Sequence, residues 1–335
     1  MKAAVYSEYG NADVVRIMDV ARPEPGPGEI LVKVAYGSVT TADWRLRAAA
    51  FPGALAIPGR LMFGLLGPRK GVLGSEFAGE VAALGAGVQG FEVGQAVFGF
   101  VMLGAHAEYL VVKADGAVLP VPEGLALADA AALPFGGLSA LVFLRDFANV
   151  RPGQRVLVVG ASGGVGAYAV QIARAMGASV TGVASGRNEG FVRGLGAEDF
   201  VDYHSQSLRD LDGSFDVVIE TVGAAQFNGV RHLLGKTGVF VPLNYGLREI
   251  GQVLRAALLG GPRISIGVSG DTKADLAVLA DMVIEGRVKP VVDRRYSFGA
   301  IHEAYAHVEG RHRRGAVLLE IGGPALVQPL RAVLA

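Results

Sequence analysis

The chain of 335 residues contains no cysteine. That excludes disulfides, thiolate nucleophiles and every zinc site built on sulfur ligands. An excess of one charge is missing too. Its 31 basic residues balance 31 acidic ones, so no electrostatic footprint for nucleic acid stands out. Charged residues make up only 19% against 51% hydrophobic ones, which excludes a disordered chain. Uninterrupted apolar runs are scarce. Val156 to Ala173 is uncharged for eighteen residues, the length of a membrane span, but glycines and Gln171 interrupt it. The opening stretch MKAAVYSEYG carries no apolar signal core. The expectation is a soluble cytoplasmic protein with no membrane and no nucleic-acid partner. The length favours two domains and suffices to bury a sizeable core.

What is present falls into three parts. The first third is β-rich, with KAAVYSEY, EILVKVAYGSV, EFAGEVAALG and AEYLVV as strands set off by glycine and proline turns. Residues 50–74 hold six glycines and three prolines, which predicts a long surface loop. From about residue 124 the rhythm changes. A helix over 126–147 precedes strand 155–160, helix 164–177, strand 179–184, helix 188–195 and strand 199–202. FDVVIET, a helix near 225–234 and GVFVPLN follow. Alternating strands and helices mean βαβ units on a parallel sheet, hence an α/β fold. After about residue 270 come a helix, KADLAVLADMVIEG, and a strand pair, VVDRRYSF and GAVLLEI. PALVQPLRAVLA reads as a tail.

Four glycines fall within seven residues, at 160, 163, 164 and 166, between the strand VLVV and an alanine-rich helix. Such a turn presents bare backbone N–H groups at a helix N-terminus, where the dipole favours an anion. Gly163 lets a pyrophosphate approach the backbone, and Gly166 lets the helix pack closely on the strand. Against the dinucleotide fingerprint G-x-G-x-x-G the aligned residues are Ala161, Gly163 and Gly166, with alanine in first place. Ala161, Ser162, Gly163, Gly164, Val165 and Gly166 are the expected phosphate loop; the other reading is a packing turn that binds nothing. About twenty residues on, NAD enzymes carry a carboxylate for the ribose. Here VTGVASGRN has none, and Ser185 and Arg187 stand in its place. A hydroxyl and a guanidinium suit a 2′-phosphate, so NADP(H) is expected. Tyr203 flanks the same phosphate or merely ends a strand.

These stretches resemble the medium-chain dehydrogenase/reductase superfamily over nearly the whole chain, and most closely its zinc-independent quinone-oxidoreductase branch. SVTTADWRLR, LPFGGLSAL, LGAEDFVDY and GRVKPVVDRRYSF carry the likeness together with the glycine loop. The resemblance implies a GroES-like substrate domain over 1–123 and 266–335 around a Rossmann domain over 124–265. Zinc-dependent relatives bind catalytic zinc through a cysteine after the second strand and the histidine of a Gly-His-Glu motif. This chain has GSVTTADW, without Cys, and Gly74-Ser75-Glu76. His302, His307 and His312 are spaced by five, which does not keep to one helical face, so surface positions are expected.

Without zinc, an alkene already activated by a carbonyl is the natural hydride acceptor. The implied function is reduction of quinones or α,β-unsaturated carbonyls, an electrophilic small-molecule class, by NADPH. An enoyl-thioester reductase and a non-catalytic NADPH-binding or structural protein are the other readings. Tyr36, Thr40 and Asp43 lie in the segment that lines the cleft in relatives, and are the catalytic candidates. Tyr36 can equally be strand packing, Asp43 a helix cap, and Trp44 a pocket wall or core. Ser139, Asn244 and Tyr245 are expected beside the cofactor, and His106 is expected to be structural. Relatives pair through a Rossmann edge strand. A homodimer through RISIGV, Arg263 to Val268, is therefore expected, unless that strand is capped within its own chain.

Overall fold

Residues 1–51, 56–69 and 71–322 are described by the computed structural model. A short antiparallel pair, β1 (Lys2–Val5) and β2 (Arg16–Asp19), precedes the long strand β3 (Glu29–Val39). Helices α1 (Thr41–Arg47) and α2 (Ala56–Phe63) follow, then β4 (Glu76–Leu84), β5 (Ala96–Phe100), β6 (Tyr109–Lys113) and β7 (Val118–Pro120). Helices α3 (Leu127–Ala131) and α4 (Pro134–Val142) lead into an alternating series. It runs β8 (Arg155–Val159), α5 (Gly166–Ala175), β9 (Ser179–Ala184), α6 (Glu189–Gly194), β10 (Asp199–Asp202), β11 (Phe215–Glu220), α7 (Phe227–Val230), β12 (Leu234–Pro242), α8 (Leu247–Leu259) and β13 (Arg263–Ile264). The chain closes with α9 (Lys273–Ile284), β14 (Val292–Ser297), α10 (Ile301–Glu309) and β15 (Ala316–Glu320).

The second series forms a six-stranded parallel sheet in the order β10-β9-β8-β11-β12-β13. This is the doubly wound order in which the chain reverses direction between its first and fourth strands, here β8 and β11. The valine run of β8 now has a reason. Val156 and Val158 feed one core, whereas Leu157 and Val159 feed another on the opposite face. β11 divides likewise, with Val217 and Ile219 on one side and Val218 on the other. A strand covered on both faces needs no polar alternation.

The other sheet draws on both chain ends, in the order β14-β15-β3-β4-β5-β7, with β6 also on β3. A third core there gathers Val32, Val34, Phe77 and Val97 with Tyr305 and Leu319. Gln171, the residue that interrupts the apolar run, ties the two halves. It is buried in α5, donates to the Lys289 carbonyl at 3.1 Å and accepts from the Lys289 N–H at 2.8 Å. The Tyr168 hydroxyl donates to Ala132 O at 2.8 Å and accepts from Val291 N at 3.2 Å.

The structure corrects several boundaries. The helix expected over 126–147 is broken before Pro134, whose ring fits only a first turn, and ends in a π-helical turn at Phe143–Phe147. The loop expected over 50–74 contains α2, with Pro58 in its first turn, where a missing N–H is harmless. Helices α8 and α10 stand where no helix was expected. β14 and β15 pair in parallel, so α10 is the crossover between them. The expected tail lies outside the described residues, apart from its approach at 321–322.

Candidate active site

The glycine loop starts where β8 ends. Gly160 has φ +84°, and its N–H and that of Ala161 both reach Val183 O at 3.0 Å. This tight turn explains why the alanine in the fingerprint is harmless: Gly160, one place earlier, takes the left-handed conformation. A Cβ on Gly166 would lie 2.0 Å from Gly160 O, so only glycine lets α5 start this close to the strand. Gly163 differs, since the nearest atom to a Cβ there is Gly160 O at 3.4 Å. The space above it is a cradle that a side chain would fill. Val165 caps α5 without a side-chain hydrogen bond; the Ala167 and Tyr168 amides bond back to Gly163 O and Val165 O, and those of Gly164, Val165 and Gly166 have no backbone partner among the described residues. The loop fits a pyrophosphate. Gly136 on α4 packs against Gly164 O, and the Arg313 guanidinium lies 3.0 Å from a Cβ placed on Gly164.

At the far end of β9, Ser185 is buried and Arg187 is exposed. Asn188 joins them. Its Nδ2 donates to Ser185 Oγ at 3.1 Å and to Ser162 Oγ at 3.2 Å. Its Oδ1 accepts from Arg314 Nε at 2.6 Å, and Arg314 Nη2 also donates to Arg187 O at 2.9 Å. Tyr203 is exposed beside this cluster, its N–H on Ala184 O at 3.2 Å. The structure therefore brings Ser185, Arg187 and Tyr203 together. It adds Asn188 and Arg314, which the sequence alone did not suggest. Arg314 arrives from the turn before β15, 126 residues from Asn188, so no local pattern announces it.

Thr40 and Asp43 form the capping box of α1. Asp43 Oδ2 accepts from Thr40 N at 2.7 Å and Thr40 Oγ1 at 2.6 Å, and Oδ1 accepts from Gly74 N at 3.1 Å. Asp43 is fully buried, so both carboxylate oxygens are committed to holding α1 against the 74–76 turn. The Asp43 carboxylate is thus engaged within the fold, while Thr40 also lines the narrow cavity between the sheets. Tyr36 is half-buried on the face of β3 that also carries Ser38. Trp44 borders the core of the first sheet. His106 is wholly buried, with Nε2 on Ser38 O at 2.8 Å, a structural position.

Glu76, the glutamate of the Gly74-Ser75-Glu76 segment, is not among the expected site residues. In register opposite Ser38, it accepts from the Ser38 hydroxyl and from Phe135 N, the latter at 2.6 Å. Burial pushes its carboxyl up to about 7, against the pull of those hydrogen bonds. Glu76, Ser38, Thr40, Phe135, Gly164 and Arg313 line one narrow cavity between the sheets. Arg313 is fixed there by donating to Val39 O at 3.1 Å and Thr41 Oγ1 at 2.9 Å. Burial pulls its guanidinium down, opposed by the charges of Glu76 and Asp43.

Asn244 lies just past β12 and accepts from Arg45 Nη1 of α1 at 2.5 Å, across the cleft. Tyr245 is half-buried next to it, and Ser139 is half-buried on α4, one turn beyond Phe135. Glu220 ends β11 at the switch point, its carboxylate accepting from the N–H groups of Val222, Gly223 and Ala224.

Comparison with known proteins agrees with this architecture. Residues 26–123 match the alcohol dehydrogenase GroES-like domain, and residues 195–319 match the zinc-binding dehydrogenase family. A quinone-oxidoreductase homolog from the chloroplast of Spinacia oleracea is 30% identical, over 96% of this chain and 98% of its own. The chain belongs to the medium-chain dehydrogenase/reductase superfamily, in its quinone-oxidoreductase-like branch. A quinone oxidoreductase structure from Coxiella burnetii superposes with a TM-score of 0.84, at 28% identity over 96% of this chain and 99% of that one. A 2-methylene-furan-3-one reductase from Solanum lycopersicum is 29% identical over 95% of this chain and 79% of its own.

As a member of this superfamily the chain is an NAD(P)-dependent oxidoreductase, and the phosphate loop fits that cofactor. Among the described residues no group of three or more His, Cys, Asp or Glu is placed to hold a metal ion. Ser75, at the position of the zinc relatives' histidine, is buried, and its hydroxyl has no hydrogen-bond partner among them. No helix among the described residues is long and apolar enough to cross a membrane.

Proposed function

We propose that this chain reduces quinones or α,β-unsaturated carbonyls with NADPH and without zinc. The cluster of Ser185, Asn188, Arg187 and Arg314 supports the phosphorylated cofactor most directly. It offers hydroxyl, amide and guanidinium donors, and no carboxylate where an unphosphorylated ribose needs one. The cofactor, when bound, supplies a hydride. The unpaired amides of Gly164, Val165 and Gly166 would hold its pyrophosphate, and Arg313 over Gly164 would add positive charge. Asn244 and Tyr245 lie at the carboxyl end of β12, where ligands of parallel sheets bind, and orient the nicotinamide half. Ser139 borders that half from α4.

The acceptor's own carbonyl withdraws the electrons, so the protein's task is positioning and exclusion of water. The α1 cap, Thr40 with Asp43, fixes the wall on the acceptor's side. Tyr36 on β3 is a candidate to hand over a proton, and solvent is the other source. The absence of sulfur ligands and the serine at position 75 support a zinc-free reaction. The same reading places the enzyme in the cytoplasm, as a homodimer.

The test is loss of NADPH absorbance with 9,10-phenanthrenequinone, trans-2-hexenal and crotonyl-CoA, repeated with NADH. Turnover with NADPH at least ten-fold better than with NADH is expected. Replacing Arg187 or Arg314 by alanine should narrow that preference by about ten-fold for each charge-assisted hydrogen bond to the 2′-phosphate that is removed. Best turnover with crotonyl-CoA would favour an enoyl-thioester reductase. Tight NADPH binding with no turnover on any acceptor would favour a binding or structural role.

A further inference from the structure

Arg45, like Arg313 and Arg314, meets no carboxylate among the described residues, and unlike them it makes a single hydrogen bond. Arg47 pairs with Glu309, Arg145 with Asp146 and Asp275, and Arg248 with Glu249. Arg45 has no carboxylate within ion-pair distance among the described residues. Its guanidinium is half-buried, and its one hydrogen bond runs to a neutral acceptor, the Asn244 amide oxygen, at 2.5 Å. Loss of solvent pulls its pKa down, and the charge of Arg311 does so further; Glu220 opposes both. Yet Glu220 is already committed to the N–H groups of its own turn. Arg311 is exposed on the turn before β15, at φ +55°. Arg45 thus sits where α1 meets the carboxyl end of β12, held by a neutral amide. A desolvated cation satisfied only by an amide is poorly compensated, whereas a carboxylate would give it a charge-assisted, bidentate partner.

We propose that Arg45 binds an anionic group carried by the acceptor, so that the preferred substrates are enones or quinones bearing a carboxylate or sulfonate. This rests on the reductase reading above. An anion exchanging for Asn244 on Arg45 would release the amide towards the nicotinamide side, and would set the distance between the acceptor's head and its reactive alkene. The other anion near this cleft is the cofactor's pyrophosphate, and the experiment must separate the two.

The chain's single tryptophan, Trp44, precedes Arg45, whose guanidinium carbon lies 5.7 Å from its ring. It reports binding without turnover. The wild type, Arg45→Met and Arg45→Lys are compared with 4-oxo-2-pentenoate and its methyl ester as acceptors. In parallel, Trp44 fluorescence is titrated with the saturated, unreactive 4-oxopentanoate and its ester. The expected result is an anion-to-ester ratio of kcat/KM that falls at least ten-fold in Arg45→Met and partly recovers in Arg45→Lys, with KM for NADPH within two-fold of wild type. An unchanged ratio overturns the proposal. So does an equal loss with both acceptors accompanied by a raised KM for NADPH, which assigns Arg45 to the cofactor. If the wild type reduces neither these acceptors nor 9,10-phenanthrenequinone, trans-2-hexenal or crotonyl-CoA, the reductase reading fails on its own account; wherever it reduces neither of the pair, the titration decides. Acid binding about ten-fold tighter than ester in the wild type, and not in Arg45→Met, supports the anion site; equal binding overturns it.

Discussion

A carboxyl group facing a serine hydroxyl and one backbone amide, with no ion pair of its own, is placed to respond to pH. Glu76 is such a group, at 2% exposure. Burial raises its pKa from the ordinary value to about 7, Asp43 adds to the rise, and Ser38, the Phe135 amide and Arg313 oppose it. The folded chain therefore keeps a proton that the unfolded chain gives up in mildly acidic solution. Stability from this group is fully present below the unfolded pKa and is lost as pH rises through about 7. The loss amounts to about 3 kcal/mol. Thermal melts of the wild type should fall between pH 5 and pH 8, and Glu76→Gln should flatten that fall, because the amide keeps both hydrogen bonds. Parallel melting curves for the two proteins would show that Glu76 stays charged. The Gly74-Ser75-Glu76 segment was legible as a counterpart of the relatives' Gly-His-Glu motif, but the burial of Glu76 was not. Its burial comes from Ser38 and Phe135, 38 and 59 residues away, and no spacing encodes that.

Among the elements, the strand, turn and helix at 155–175 were the most legible. The valines feed two cores in alternation and the glycines meet steric demands that only glycine satisfies. Those demands differ along the loop, and the difference is testable. Gly163→Val has room beside the backbone and fills the anion cradle. It should raise the NADPH Kd at least ten-fold and leave the melting temperature within a few degrees of wild type. Gly166→Val drives a Cβ into Gly160 O and should lower the melting temperature steeply, whatever it does to binding. Calorimetry with and without NADPH separates the two outcomes; equal destabilisation by both would mean that Gly163 is a packing residue. Helix α10 was harder to see although its period was present, since Ile301, Ala304, Tyr305 and Val308 are its buried face. It has nine residues, too few to be helical without that packing. Helix α8 carries Leu247 and Leu254 exposed, so its apolar spacing does not mark a core face.

At the scale of the whole molecule, the doubly wound sheet has two edges of unlike character. The β10 edge carries Asp199 and Asp202, charges that discourage another strand from pairing there. The β13 edge is short and nearly uncharged beyond Arg263, and Val268 past its end is 72% exposed. Ser265 directs its N–H inward to Phe240 O, which leaves the next N–H facing outward in the alternating pattern of a strand. An uncharged edge with free donors stays monomeric only when something covers it. In the proposed homodimer, a second copy of the chain related by a two-fold axis would cover it with the same surface. Sedimentation equilibrium should therefore give twice the mass of the chain, and Val268→Asp, which sets two carboxylates near the axis, should shift the equilibrium towards monomer. The phosphate-binding residues lie at the carboxyl ends of β8 and β9, with β11 and β12 between them and the β13 edge. NADPH binding by that monomer should accordingly survive. A wild-type monomer would mean that the edge is closed within the chain, and a dimer indifferent to Val268→Asp would place the interface elsewhere.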